Sequence, residues 1–321
     1  MDLSDQVRDV LRRQDGLVTR SQLYEAGVTR AMIRWRLGRS WTSVHGVVIS
    51  TSGSELTFRQ RLVAAQLEAG PHAIITGEHA CLYHGLDAVR GNRPVRVLVP
   101  MNQESRRVGY LSISRTRRPD PAPVVDGVLR VARIPRAVLD AARHARELDE
   151  ARAVIIEAVQ TRRASIESLQ HELDAGPRRH SAYARRALAD VRAGAWSVPE
   201  AHLLHLCSTS DVLPAPLPNP VLQHPEGSLI SPDLWFDDVA LAVMVHSRAH
   251  HARDADWEST VEADSTLTAH GVTVISFTPR SIATDPQRVL ARIEQVYLSL
   301  RQSGRRRPQV TAIPRGWGLS A

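Results

Sequence analysis

The sequence contains no lysine, only two cysteines, and no apolar run approaching the roughly 20 residues of a membrane span. All 41 basic residues of the 321-residue chain are therefore arginine. Cys81 and Cys207 form no CxxC pair, which argues against a disulfide framework or a cysteine-ligated zinc site and favours a reducing cytoplasm. The first residues are charged, so no secretory signal is expected. We expect a cytoplasmic chain of two or three globular domains.

Charge is distributed unevenly along the chain, whose formal net charge is +7. Residues 1–50 carry +3, residues 90–136 carry +8, and residues 301–321 carry +5, whereas residues 196–300 carry −8. Such a distribution attracts a polyanion to the N-terminal half and the tail, and repels it from the acidic region.

The N-terminal pattern predicts three short helices followed by a β-hairpin. Apolar spacing favours a helix over residues 3–14, and the capping residues Thr19 and Thr29 favour two more, the last running to Leu37 and ended by Gly38. The β-branched run Trp41–Ser50 turns at His45–Gly46. This order predicts a winged helix-turn-helix in residues 1–54.

The third predicted helix is the candidate for reading DNA. Ile33 and Leu37 form its apolar edge, Arg30 and Arg34 lie one turn apart on another edge, and no acidic residue occurs between positions 28 and 54. Arginine pairs bidentately with guanine in the major groove or holds phosphates. A solvated arginine-rich helix is the alternative. The predicted DNA-contacting residues are Arg20, Thr29, Arg30, Arg34, Arg36, Arg39, Trp41 and His45, the last two reaching the DNA backbone or minor groove from the hairpin.

The remainder of the chain alternates between helical and strand patterns, so the predicted fold class is a multidomain α+β protein. A middle region of basic strands and helices is expected over residues 55–195, with strands near 73–76, 95–99 and 111–114. An α/β domain is expected over residues 196–300, with strands at Leu234–Phe236, Val239–Ser247 and Val272–Thr278 and helices at 256–270 and 285–300. The tail, 301–321, is predicted to be disordered.

The order of several motifs resembles a known family. The run from Gly16 to Ser50 is followed by TGEHACLYHGL from Thr76, RVLVP from Arg96 and GVLRVARIPRAVLDAARHA from Gly127. Together they are similar to AbiEi-type antitoxins of type IV toxin–antitoxin systems, in the actinobacterial form. That form joins the winged helix to a restriction-endonuclease-like domain similar to very-short-patch-repair endonucleases. The resemblance implies sequence-specific promoter binding by the N-terminal part. It does not place a toxin gene beside this one, so a toxin partner in addition to double-stranded DNA stays an open expectation.

For the C-terminal domain the resemblance implies a carboxylate site for Mg²⁺ made by a helix Glu, a strand Asp and a further acidic pair. Glu200 and Asp233 match the first two, but Met244 and His246 stand where the pair is expected. A thioether supplies no hard oxygen ligand. We therefore predict a vestigial site without metal or cofactor, comprising Glu200, Asp233, Met244, His246 and His250. The family framework also matches at Arg248, His250, His251, Asp254 and Trp257.

The leading hypothesis is a nucleoid-associated transcriptional regulator, either an autoregulating antitoxin or an orphan repressor. Its DNA surface would be completed by basic strands between Arg90 and Arg136 or by the second protomer of a homodimer. The main alternative is a metal-dependent endonuclease with Glu200 and Asp233 as ligands and His246 or His250 as general base. Two others remain open: a softer metal held by Asp233 and histidines 246, 250 and 251, and an antitoxin whose acidic domain neutralises a basic toxin.

Overall fold

The computed structural model describes residues 4–51, 54–246, 262 and 264–315, and shows a mixed α/β chain. It divides into two compact units, Met1–Arg185 and Arg186–Ala321. This division lies inside a helix, Ala182–Arg192, ahead of the expected boundary at 195/196. None of the helices in the described ranges is long and apolar enough to span a membrane.

The first unit begins with three helices and a small antiparallel sheet. The elements are α1 (Asp5–Arg13), β1 (Leu17–Thr19), α2 (Arg20–Glu25), α3 (Arg30–Arg36), β2 (Thr42–Ser43) and β3 (Val48–Ser50), with strand order β1-β3-β2. The side chains of Ser4, Thr19 and Thr29 cap the three helices by accepting a backbone N–H. The predicted helices and hairpin are confirmed, whereas β1 was not expected.

A six-stranded mixed sheet forms the middle of this unit, in the order β6-β7-β5-β4-β9-β8. Strand β5 alternates buried and part-exposed residues, so one of its faces packs on the core. The first elements are α4 (Phe58–Ala69), β4 (Ile74–Thr76), α5 (Glu78–Tyr83), β5 (Val95–Val99), β6 (Arg106–Val108) and β7 (Leu111–Arg115). They are followed by β8 (Val124–Asp126), β9 (Leu129–Val131), α6 (Ile134–Arg143), α7 (Leu148–Gln160), α8 (Ile166–Ala175) and α9 (Ala182–Arg192).

The second unit has a four-stranded sheet in the order β10-β13-β14-β15 and a three-stranded antiparallel sheet in the order β12-β11-β16. Its first elements are α10 (Val198–Cys207), β10 (Leu217–Pro218), β11 (Val221–His224), β12 (Gly227–Leu229), β13 (Leu234–Phe236) and β14 (Leu241–Val245). The others are β15 (Thr273–Phe277), α11 (Pro279–Thr284), α12 (Pro286–Gln302) and β16 (Thr311–Ile313), and residues 264–269 are also helical.

Strand β14 is buried on both faces, as its apolar sequence predicts. Leu241 and Val243 pack into one core with α10 and α12, and Ala242 and Met244 pack into another with Trp235.

The expectation of a disordered tail is wrong for its first part. Helix α12 continues to Gln302, and Thr311–Ile313 pairs antiparallel with β11 in the register Leu222↔Ala312. The buried side chain of Val310 anchors this return. The arginine-rich composition of the segment concealed a short strand whose backbone hydrogen bonds are satisfied by β11.

Candidate functional site

Helix α3 presents two arginines to solvent on a firmly packed support. Ile33 is buried in the N-terminal core, whereas Arg30 and Arg34 are exposed. Neither arginine has an ion-pair or hydrogen-bond partner among the residues that the structure describes. The structure therefore leaves both guanidinium groups available to an anionic ligand.

An exposed tryptophan that the sequence reasoning missed extends this surface. Trp35 is 60% exposed, and the Arg39 guanidinium lies 5.1 Å from its ring centroid. The Arg39 Nη1 atom also donates to the Trp35 carbonyl oxygen at 2.8 Å, so the guanidinium is held over the ring. The sequence could have predicted that Trp35 is exposed, because residues two positions apart do not share a helix face and Ile33 is on the buried one. We call Arg30, Arg34, Trp35 and Arg39 the α3 surface.

Trp41 does not belong to the surface on which it was predicted. Its side chain is only 3% exposed and packs in the N-terminal core with Ile33 and Ile49. The Arg36 guanidinium covers the ring at 5.1 Å from its centroid. An indole buried in this way cannot reach a DNA backbone, so its role is structural and Arg36 serves partly as its cover.

His45 is likewise buried, although it sits at the tip of the β2–β3 hairpin. It is 7% exposed, and its ring centroid lies 4.6 Å from that of Tyr110 in the β6–β7 turn. Burial lowers the pKa of His45, while the charge of Glu68 opposes this. The residue therefore joins the hairpin to the six-stranded sheet as a neutral ring, and the predicted DNA contact is replaced by an internal one.

The two remaining predicted residues have observable local roles. Thr29 Oγ1 accepts the Met32 backbone N–H at 3.3 Å and so fixes the start of α3. Arg20 is part-exposed, and its Nε donates to the Gly46 carbonyl at 3.2 Å, which ties the hairpin tip to α2.

The basic region between positions 90 and 136 is less available than its formal charge suggests. Ion pairs with carboxylates occupy five of its arginines, namely Arg93, Arg106, Arg118, Arg133 and Arg136. Arg107 on β6 and Arg115 at the end of β7 are exposed and have no carboxylate partner in the described ranges. These two lie on the hairpin whose turn contacts His45, so exposed positive charge continues from the N-terminal sheet onto β6–β7.

In the second unit the structure brings Glu200 and Asp233 close enough to interact, and with Asp264 they form what we call the acidic cluster. Glu200 Oε2 accepts hydrogen bonds from the Trp196 backbone at 2.9 Å and the Asn219 amide at 2.7 Å. Asp233 Oδ2 accepts the Val245 backbone N–H at 2.5 Å. Burial, and then the nearby charge of Glu200, raise the pKa of Asp233 to about 7.

Asp264, which the sequence reasoning did not select, is the third carboxylate of the acidic cluster. Its Oδ2 lies 3.2 Å from His246 Nε2 and accepts the Ser276 hydroxyl at 2.9 Å, and it also raises the pKa of Asp233. Nevertheless, Glu200, Asp233, Asp264 and His246 do not bring three ligand atoms within 4.8 Å of one another. Position 264 lies on a helix, and only the fold places it opposite His246.

Met244 is 7% exposed and packs with Trp235 and Leu267 in an apolar core. It offers no oxygen to a cation. His250, with Arg248, His251, Asp254 and Trp257, lies outside the described residues.

Comparisons with known proteins add little to this geometry. No family model and no curated protein matches the chain. Among solved structures, the crystal structure of the RV2827C protein from Mycobacterium tuberculosis is similar with a TM-score of 0.38 and 16% identity. The match covers 57% of this chain and 75% of that one.

Proposed function

We propose that this chain binds double-stranded DNA in a sequence-specific manner through a winged helix-turn-helix formed by α1, α2, α3 and the β1–β3–β2 sheet. The observation that carries the proposal is the pair Arg30 and Arg34 on the helix that this arrangement would place in the major groove. Both are exposed, and neither has a partner in the part of the chain that the structure describes. Arginine at such a position pairs with guanine or with phosphate.

The rest of the α3 surface supports the same ligand. Arg39 is held over the exposed ring of Trp35, and stacked arginine and aromatic groups are suited to contacts with nucleotides. Arg107 and Arg115 would add phosphate contacts beside the hairpin. Because a single winged helix buries little surface, these contacts or a second protomer would supply the remaining affinity.

The biological role that we propose is transcriptional regulation, either as an autoregulating antitoxin-like protein with a toxin partner or as an orphan repressor. The second unit would be a restriction-endonuclease-like domain without catalysis. Two observations support this: Met244 lies in an apolar core, and within the described residues the acidic cluster does not bring three ligand atoms to a common point. A plasmid-nicking assay with Mg²⁺ and Mn²⁺ tests this part, and cleavage that disappears in Asp233→Ala would contradict it.

The DNA-binding proposal is tested by selecting bound sequences from a random duplex library and titrating the best one by fluorescence anisotropy. The full-length chain should prefer the selected duplex over unrelated DNA by about 10³-fold or more, the lower end for specific binders. The double variant Arg30→Ala/Arg34→Ala should lose most of this preference.

A matched control is available on α12, where Arg288 and Arg292 have the same spacing and are both exposed. Arg288→Ala/Arg292→Ala removes the same charge from the second unit and should leave binding unchanged. Equal affinity in the wild type and the α3 variant would place the DNA surface elsewhere, and equal losses in both variants would show nonspecific attraction alone.

A further inference from the structure

Two histidines and a glutamate come together in the second unit, and none of them belongs to the acidic cluster. His224 ends β11, Glu226 lies in the β11–β12 turn, and His270 follows the helical residues 264–269. One ligand atom from each lies within 4.8 Å of the other two. Both imidazoles are largely enclosed, with 17% and 21% side-chain exposure, whereas Glu226 is 77% exposed.

The hydrogen bonds of His270 fix which of its nitrogens is free. Its Nδ1 lies 2.8 Å from the Thr266 carbonyl oxygen, which can only accept, so the proton sits on Nδ1. In the neutral ring, Nε2 then carries a lone pair, and this atom lies 3.3 Å from Glu226 Oε2. Two acceptors at this distance repel unless a cation or a second proton lies between them.

His224 contributes a third acceptor to the same point. The Glu226 backbone N–H donates to His224 Nδ1 at 3.3 Å, so this nitrogen is unprotonated, and it lies 3.9 Å from the same Oε2 atom. The backbone bond is long for an N–H donor to imidazole, which leaves the lone pair weakly engaged. Two imidazole nitrogens therefore lie 3.3 and 3.9 Å from one carboxylate oxygen.

We propose that His224, Glu226 and His270 bind a divalent transition metal of the Zn²⁺ class. A tetrahedral ion with Zn–N and Zn–O distances of about 2.0–2.2 Å separates its ligand atoms by roughly 3.3–3.5 Å. The His270–Glu226 distance of 3.3 Å already matches this value. The His224–Glu226 distance of 3.9 Å exceeds it, so binding requires these two side chains to move closer and His224 Nδ1 to release the Glu226 backbone N–H. The Thr266 carbonyl is the outer partner that zinc-bound histidines commonly have.

The ion would link two parts of the unit that are distant in sequence. His224 and Glu226 belong to the β11–β12 hairpin, and His270 stands just before β15 of the four-stranded sheet. Three protein ligands leave a fourth position for water or an external group, because Glu226 faces solvent. This inference concerns the second unit alone and does not depend on DNA binding.

The test uses the full-length chain, freed of metal with a chelator and titrated with Co²⁺, whose tetrahedral complexes absorb visible light. We expect one equivalent to give this absorption and Zn²⁺ to displace it. Removing an outer-shell partner costs about 10–100-fold in metal affinity, so His270→Gln and His224→Gln, which remove ligands, should each lose at least about 100-fold. Glu226→Gln should also weaken binding, because it removes the negative charge.

Two controls separate this site from other histidines. His171→Gln changes an exposed histidine on α8 and should bind as the wild type does. The double variant His250→Gln/His251→Gln should also retain the site, and loss of the absorption in that variant but not in His270→Gln would overturn the proposal. Absence of any one-equivalent binding of Co²⁺ or Zn²⁺ would also overturn it. Circular dichroism of each variant checks that a loss of metal is not a loss of fold.

Discussion

At the scale of single residues, two tryptophans near α3 have different roles: Trp41 is buried in the N-terminal core, whereas Trp35 is exposed on the helix. Trp41→Ala should destabilise the first unit by about 3–5 kcal/mol, because it opens a cavity beside Ile33 and Ile49 in the core. Trp35→Ala should change stability little, because the ring is 60% exposed, but should weaken DNA binding. Urea unfolding and anisotropy on both variants measure the two effects, and a large stability loss for Trp35→Ala would contradict the assignment.

The single variants of Arg30 and Arg34 distinguish base contact from phosphate contact. A residue that pairs with a base should cost about 1–3 kcal/mol when changed to alanine and should relax preference at one position. A phosphate contact should weaken all sequences alike and lower the salt slope by about one. Titration on duplexes varied at single positions, at several salt concentrations, separates the two, and unchanged binding in both single variants would remove α3 from the interface.

The carboxyl of Asp233 predicts a pH dependence of stability. Its pKa rises from 3.8 to about 7 on folding, so its contribution to stability is fully present below pH 4 and is lost as the pH rises through 7. Asp233→Asn keeps an acceptor for the Val245 N–H and removes the buried charge. The variant should therefore be more stable than the wild type at pH 8, by a few kcal/mol at most, and nearly equal at pH 4.

Urea unfolding at several pH values measures this difference. Asp211→Asn, on an exposed loop, serves as the control and should show no such pH-dependent gain. If the difference in unfolding free energy between Asp233→Asn and the wild type is no larger at pH 8 than at pH 4, the raised pKa of Asp233 is contradicted.

Sequence reasoning predicted which residues of α3 are exposed better than it predicted contacts between residues far apart in the chain. The exposure of Arg30 and Arg34 followed from the apolar edge at Ile33. Trp41 and His45 were misassigned because a hairpin position does not reveal what packs against it, and Tyr110 lies far along the chain. Asp264 was missed for the same reason, since it meets His246 only after the sheet is formed.

At the scale of elements, the β6–β7 hairpin should act as a phosphate-binding edge beside the β2–β3 hairpin. Arg107→Ala and Arg115→Ala should each lower the salt slope of DNA binding by about one without altering sequence preference. Arg288→Ala on α12 is the matched single-charge control. A slope that does not change in either hairpin variant would confine the interface to the N-terminal helices and sheet.

Strands with apolar or alternating patterns were predictable, and polar edge strands were not. Leu234–Phe236 and Val95–Val99 have the predicted bounds, because burial dictates their composition. Strands β6, β8 and β16 are short and largely exposed, and their stability comes from backbone pairing with a neighbour rather than from side-chain burial. Composition alone therefore gave no signal for them.

At the scale of the whole molecule, the fragment 1–193 should retain sequence-specific DNA binding. Ending the fragment at residue 193 leaves α9 intact. Gly194, whose carbonyl oxygen accepts a hydrogen bond from the Asn219 amide, then stays with the second unit. Removing the acidic region should leave affinity equal or somewhat higher, with a steep salt dependence. Anisotropy on the selected duplex tests this, provided that circular dichroism shows the fragment to be folded. A folded fragment that does not bind would contradict this prediction if the C-terminal fragment binds instead. If neither fragment binds, sedimentation of each would show whether the second unit dimerises.

The formal charge map remains a coarse guide at this scale. It separates a basic first half from an acidic region correctly in sign, but ion pairs such as those of Arg118 with Glu172 and Arg133 with Asp120 neutralise much of the basic stretch internally. Sequence counts cannot distinguish a paired arginine from a free one, because the partners are far apart along the chain.

The return of Thr311–Ile313 onto β11 has a consequence for the behaviour of shortened chains. A chain ending after α12 would expose the backbone N–H and C=O groups of Val221–Gln223 that now pair with this strand. Such an open strand edge recruits any other extended segment, including one from a second molecule. The last strand therefore covers the edge of β11 and prevents it from pairing with another chain. If two copies exchanged this strand, they would form a domain-swapped dimer.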